Sequence, residues 1–208
     1  MNFKYKLLIF VIIFVIIVIS IFIYNKMINK SKRIILNKIV SAKKNIIIQN
    51  NTLNLATTNK GLGWTLSLWI YIEDWTYNYN IDKYIIKWHN CNIWLSKKDN
   101  NLNISVPVFN KTNPEIITYK KIKLQKWINI IIILDNRHLD LWINGKLFNS
   151  KYLSNVPNLI NNSLEITPMG GFSGYIYNII YYSYPLNYST FLGKNTIKSL
   201  VSNKPKSI

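Results

Sequence analysis

The chain has 208 residues, 49% of them hydrophobic, a single cysteine and a formal net charge of +18. That allows one domain of ordinary size with a sizeable core plus an appendage. It excludes an intrachain disulfide, and the lack of any Cys/His cluster at metal-ligand spacing excludes a zinc-stapled fold.

The first element is "LLIFVIIFVIIVISIFI", residues 7–23, in which Ser20 is the only polar side chain. At about 1.5 Å per residue it would span roughly 25 Å, near the hydrocarbon thickness of a bilayer. A cleaved signal peptide would have a shorter apolar run followed by small residues; here "IFIYNKMINK" closes the run with bulky ones. The expectation is an uncleaved anchor over 1–24.

Residues 25–50 are basic, and Ile35, Ile39, Val40 and Ala42 stand at near-helical spacing. They predict a juxtamembrane helix or stalk in which Lys26, Lys30, Lys32 and Arg33 would meet anionic head groups, each worth about 1 kcal/mol. More Lys and Arg follow the apolar run than precede it, so the positive-inside rule favours a cytoplasmic-facing domain. Sequons at Asn50, Asn103, Asn110, Asn161 and Asn187 do not weigh against this, since so asparagine-rich a chain contains several by chance.

From residue 51 onward, strand signals alternate with short polar breaks. They are "WTLSLWIYI" (64–72), "KYIIKW" (83–88), "NIWLS" (92–96), "LNISVPV" (102–108), "EIITY" (115–119) and "WINIIIIL" (127–134). A hairpin follows, with strands over 137–143 and 146–150 around Asn144-Gly145, a pair suited to the two positive φ angles of a type I′ turn. "SLEIT" (163–167) and "GYIYNIIYY" (174–182) complete the set, and residues 191–208 read as a basic tail. Many short strands punctuated by turns predict an all-β antiparallel sandwich or jelly roll over 51–190.

The order of "TLSLWIYI", "KWINIIIILDN", "LDLWINGKL" and "GGFSGYIYNIIYY" resembles the laminin-G/concanavalin A-like jelly roll. The resemblance implies a β-sandwich of the lectin and glucanase superfamily. An anchor followed by such a domain, in a chain whose isoleucine, asparagine and lysine excess suggests an AT-rich genome, resembles membrane proteins encoded by large DNA viruses.

Catalysis is weighed because the superfamily includes glucanases. The resemblance implies an E-x-D-x-x-E type run in those members, and nothing here matches it. The eight acids are Glu73, Asp74, Asp82, Asp99, Glu115, Asp135, Asp140 and Glu165. No two have the i, i+2 spacing that places carboxylates on one strand face, although a pair from two strands stays open. His138 has no motif around it, and His89 and Cys91, though close, read as strand-end residues. No enzyme activity and no cofactor are expected. Calcium is considered through Asp82, Asp99 and Asp135, but turn-forming Asp is common for backbone reasons alone.

The aromatic residues carry the binding expectation. Trp69 and Tyr71, Trp94 and Trp142 fall on the strand faces opposite the leucines and isoleucines. On one sheet they would line an outer face able to stack on sugar rings or dock a protein; alternatively, a covering segment would make that face a second small core.

Seventeen basic residues lie in 51–208 in no run longer than two. A nucleic-acid surface needs its cations on one face, so nucleic acid is not the favoured partner. The expected function is a membrane-anchored, non-catalytic binding or structural module with a protein or glycan ligand. A glycan-binding lectin or degenerate glycosidase is the first rival, and a basic nucleic-acid binder the second.

Overall fold

The computed structural model describes residues 3–49, 62–160 and 162–205. Its chain order is α1 (Phe3–Ser31), β1 (Lys32–Leu36), β2 (Val40–Ser41), β3 (Ile46–Ile48), β4 (Gly63–Asp74), β5 (Lys83–Lys87), β6 (Asn92–Leu95), β7 (Leu102–Val106), β8 (Glu115–Tyr119), β9 (Trp127–Asp135), β10 (His138–Ile143), β11 (Lys146–Tyr152), β12 (Leu164–Ile166), β13 (Ser173–Tyr182) and α2 (Phe191–Ser202). Two antiparallel sheets face each other. One runs β1-β13-β4-β9-β10-β11, with β2 also on β13; the other runs β3-β12-β5-β6-β7-β8.

Period-two alternation fills the space between them. Leu66, Leu68, Ile70 and Ile72 of β4 and Ile128, Ile130, Ile132 and Leu134 of β9 point inward. They meet Ile85, Ile93, Ile104 and Leu164 of the opposite sheet in one continuous core. Trp64 and Trp88 join it with ring centroids 5.6 Å apart. Burying such side chains, at about 1.5–3 kcal/mol each, is the main force holding the layers together. The predicted hairpin forms: Asn144 (φ 50) and Gly145 (φ 77) are both left-handed, as the turn requires.

Two expectations change, and a third is not shown. Residues 32–48 are not a helical stalk. Lys32–Leu36 pairs with β13, Val40–Ser41 also pairs with β13, and Ile46–Ile48 pairs with β12. The sandwich therefore begins well before residue 51. Of the four residues at near-helical spacing, Ile35 lies in β1 and Val40 in β2, while Ile39 and Ala42 lie outside any strand. Residues 191–202 are a helix rather than a tail, capped by Thr190, whose hydroxyl accepts the Gly193 N–H at 3.1 Å. The expectation not shown is the anchor. α1 is helical, and its described apolar side chains from Ile9 to Ile23 are all exposed. Among the described residues, however, no helix is long and apolar enough to cross a membrane.

Strand register defines two ends of the sandwich. α1 joins β1 where Lys32 pairs with Tyr182, level with Thr65 of β4. At the other end β4 finishes at Asp74 opposite Ser173. The two ends are about 30 Å apart at roughly 3.3 Å per residue along β4.

Candidate functional site

The outer face of the sheet containing β4 carries a second apolar cluster. Ile131 and Ile133 of β9, Trp142 of β10, and Ile180 and Tyr182 of β13 pack beneath Ile197 and Leu200 of α2. A residue pattern with apolar side chains on both faces of β9 demands such a cover, because an uncovered outer face would leave these isoleucines in water.

The four predicted aromatics therefore do not form one stripe. Trp69 is 2% exposed and donates its Nε1 to the Leu200 carbonyl at 3.2 Å. Trp142 is 6% exposed and belongs to the covered cluster. Trp94 lies on β6 in the other sheet, half-buried beside Tyr84 at 6.3 Å between centroids. Tyr71 stays half-exposed, 5.6 Å from Trp127 and 6.4 Å from Tyr175. Of the four head-group cations, Lys32 is half-buried and Arg33 exposed; the side chains of Lys26 and Lys30 fall outside the described ones.

Next to α2 the outer face opens into a groove of about 740 Å³. β9 contributes Ile133 and Asp135, β10 contributes His138, Asp140 and Trp142, β11 contributes Lys146, Leu147 and Ser150, and the 186–189 segment closes one wall. That segment is fixed to β4: the Leu186 N–H donates to Thr65 Oγ1 at 2.9 Å, and the same hydroxyl donates to the Tyr184 carbonyl at 3.1 Å. Asn187 Oδ1 accepts from the Ser189 N–H and hydroxyl, at 2.8 and 2.6 Å. Tyr188 is thereby held against Trp142, with centroids 4.7 Å apart, and it remains 41% exposed.

Two polar atoms of the groove are buried without a partner: Asp140 Oδ1, an acceptor, and Trp142 Nε1, a donor. They sit two residues apart on one strand face, roughly 6.5 Å along β10. A carboxylate oxygen left without a donor costs more than the roughly 1–3 kcal/mol of a neutral group, and a hydrogen-bond donor on a ligand would offset that cost. Asp135 also lines the groove, accepting from Asn136 Nδ2 at 3.1 Å. Asp135 pairs with His138, so Asp140 is its diagonal cross-strand neighbour. Neither acid stands in a sequence pattern that suggests pairing; only the β9–β10 register unites them. Tyr188 gives no signal in the sequence at all.

Three of the remaining acids, Glu115, Asp74 and Asp82, are committed elsewhere. Glu115 bonds Lys111 at 2.8 Å, Lys151 at 2.7 Å and the Ser154 hydroxyl at 2.6 Å. Hydrogen bonds from Lys111, Lys151 and Ser154, in that order, pull its carboxyl down to about 2. Asp74 accepts the Thr76 hydroxyl and N–H, which hold it below the usual carboxylate range. Asp82 accepts the Lys97 N–H at 3.0 Å. Among the described residues no group of three or more His, Cys, Asp or Glu is placed to hold a metal ion. Cys91 is buried and free, its thiol pushed up by burial alone.

Two facing antiparallel sheets of seven and six strands, with an aromatic groove on the outer face of one, define a jelly-roll sandwich. Residues 44–187 match the family model of the concanavalin A-like lectin/glucanases superfamily, of the laminin-G type, and the chain belongs to that family. Among solved structures it is similar to the binding domain of botulinum neurotoxin DC in complex with rat synaptotagmin II, with TM-score 0.59, 15% identity, and coverage of 82% of this chain and 46% of that one. The same toxin domain in complex with SialylT gives TM-score 0.60 at 15% identity, covering 85% and 46%. The botulinum neurotoxin serotype D/C binding domain gives 0.58 at 16%, covering 81% and 47%. The chain thus spans just under half the length of these domains, and identities this low establish the fold alone. No curated protein matches the chain.

Proposed function

We propose that the chain is a membrane-anchored, non-catalytic binding module that takes a glycan in the groove between β10 and the 186–189 segment. The observation that carries this reading is the unpartnered Asp140 Oδ1 beside the Trp142–Tyr188 ring pair. A sugar offers what those groups lack: hydroxyl donors for a carboxylate and an apolar ring face for the exposed face of Tyr188. The family membership and the likeness to toxin binding domains, one of them in complex with SialylT, support a binding role.

The anchor is part of the proposal. A helix whose side chains from Ile9 to Ile23 are apolar, apart from Ser20, and exposed on every side fits lipid better than water. The composition and the anchor-plus-jelly-roll arrangement support a virus-encoded membrane protein. Endoglycosidase treatment of the expressed chain reads the side: a mobility shift places the domain on the luminal or outer face, and no shift supports the cytoplasmic side that the lysines after the helix favour.

The binding test is a glycan array probed with full-length protein in neutral nanodiscs. Wild type should bind a discrete set of glycans. Asp140→Asn and Tyr188→Ala should each weaken binding on the order of tenfold. An array with no signal above background would remove the glycan reading. A second reading, glycan hydrolysis, draws on Asp135 and Asp140, diagonal neighbours across the β9–β10 pair whose side chains line one groove. Release of reducing ends from a bound glycan, abolished by Asp135→Asn, would establish it.

A further inference from the structure

The lysines that look scattered in the sequence converge on the end of the sandwich farthest from α1. We infer that this end is a second membrane-binding surface, which engages a bilayer rich in anionic phospholipid. Lys43 and Lys44 precede β3, Lys97 and Lys98 lie in the β6–β7 turn, and four more lysines lie in the 120–126 loop between β8 and β9. All eight are exposed.

Contacts between the loops show that they share one surface. Lys43 Nζ sits over the Tyr77 ring at 4.6 Å. Asn78 donates its side-chain N–H to the Gly171 carbonyl, and the Asn80 N–H donates to the Lys97 carbonyl. The Ile122 N–H donates to the Asn100 carbonyl, and the Gln125 N–H to the Ile72 carbonyl at the end of β4. Four acids share this end, Glu73, Asp74, Asp82 and Asp99, and the hydrogen bonds that Asp74, Asp82 and Glu73 accept leave them charged, so the eight exposed lysines outnumber the acids by four.

Between the cations, bulky side chains project into solvent at loop tips. Tyr79 is 54% exposed, Ile81 51% and Met169 67%. Lysines alone would suit any polyanion. Isoleucine and methionine at the tips, with tyrosine among them, specify a layer with an apolar interior beneath an anionic surface. A nucleic acid would use stacked aromatics and has no use for exposed aliphatic tips. The inference rests on these loops and is independent of the groove and its ligand.

The experiment is flotation of the full chain, held in phosphatidylcholine nanodiscs, with vesicles of phosphatidylcholine alone or containing about 30% phosphatidylserine. Gel filtration first reports whether α1 keeps the protein in the disc. If it does not, the anchor reading fails, and the free chain is floated on the same vesicles, so the surface is tested either way. Wild type should float with the anionic vesicles only. Replacing Lys120, Lys121, Lys123 and Lys126 with Gln should lower partitioning by at least about a hundredfold. Ile81→Ser with Met169→Ser should abolish flotation at physiological salt while leaving binding at low salt, where the lysines suffice. Equal flotation of wild type and the lysine variant would overturn the inference. So would retention of a DNA duplex without flotation, which would assign the surface to nucleic acid.

Discussion

The Trp69 indole donates to the Leu200 carbonyl across 131 residues of sequence, joining the central strand β4 to the last turns of α2. The bond fixes where α2 lies, and α2 in turn keeps Ile131, Ile133 and Trp142 out of water. The C-terminal helix is therefore a structural layer of the domain.

Leu200→Ala should destabilise the fold by about 2–4 kcal/mol, as expected for a leucine removed from a packed cluster. The denaturation midpoint in urea reports it. A midpoint within error of wild type would show that α2 contributes no stability.

Gly145→Ala should cost about 1 kcal/mol or more, because Ala is strained at φ +77. Its Cβ would also lie 3.1 Å from Val201 Cγ2, so the variant disturbs the turn and the end of α2 together. Asn144→Gly should be nearly neutral for the φ angle but would lose the acceptor for the Asn129 N–H. Thermal melts of the two variants, read side by side, separate backbone strain from the lost hydrogen bond.

Glu115 makes the stability pH-dependent. Its folded pKa of about 2 is below the ordinary 4.5, so the unfolded chain binds the proton more readily. The stabilising contribution is complete above pH 4.5 and disappears as pH falls through about 2. Glu115→Gln should flatten the stability profile in that window and leave the slope above pH 5 unchanged. Since Lys151 lies on β11 and Glu115 on β8, the same variant should raise hydrogen exchange along these two edge strands.

Lys83 is 2% exposed, with Nζ 3.5 Å from the Lys97 carbonyl and 4.9 Å from the Trp75 ring centroid. Burial lowers its pKa, against the pull of Asp82 and Asp74. The folded state then binds the proton less readily than the unfolded one, so this group adds stability as pH rises toward 10.5. Lys83→Met should be neutral or stabilising at neutral pH and should remove that rise, as pH-dependent melts would show.

The strands of the domain proper were legible because each carries its own period-two pattern. "EIITY" forms β8 over the very residues it names, and "WINIIIIL" extends by one residue into β9. β1 to β3 escaped, since two or three isoleucines beside lysines fit a helix as well as an edge strand, and only their partners β12 and β13 decide. α2 had readable signals in Thr190 and in the i, i+3, i+4 spacing of Ile197, Leu200 and Val201, which the basic residues around them obscured. The groove and the lysine-rich end are products of register and loop closure. Asp135 meets Asp140 across the β9–β10 hairpin, and Lys97 meets Asn80 at the open end of the β5–β6 hairpin, through registers that no single run of residues announces.

α1 ends at Ser31 and β1 begins at Lys32 with no residue between them. The Ser31 carbonyl is taken up by the Ser183 N–H at 3.0 Å, so the junction is stitched to the strand beside it. The domain cannot swivel freely on its helix. A pull transmitted along α1 and resisted at the opposite pole would run parallel to β1 and load the β1–β13 ladder in shear. In that direction its bonds must fail together rather than one after another, so the coupling would behave as a stiff strut.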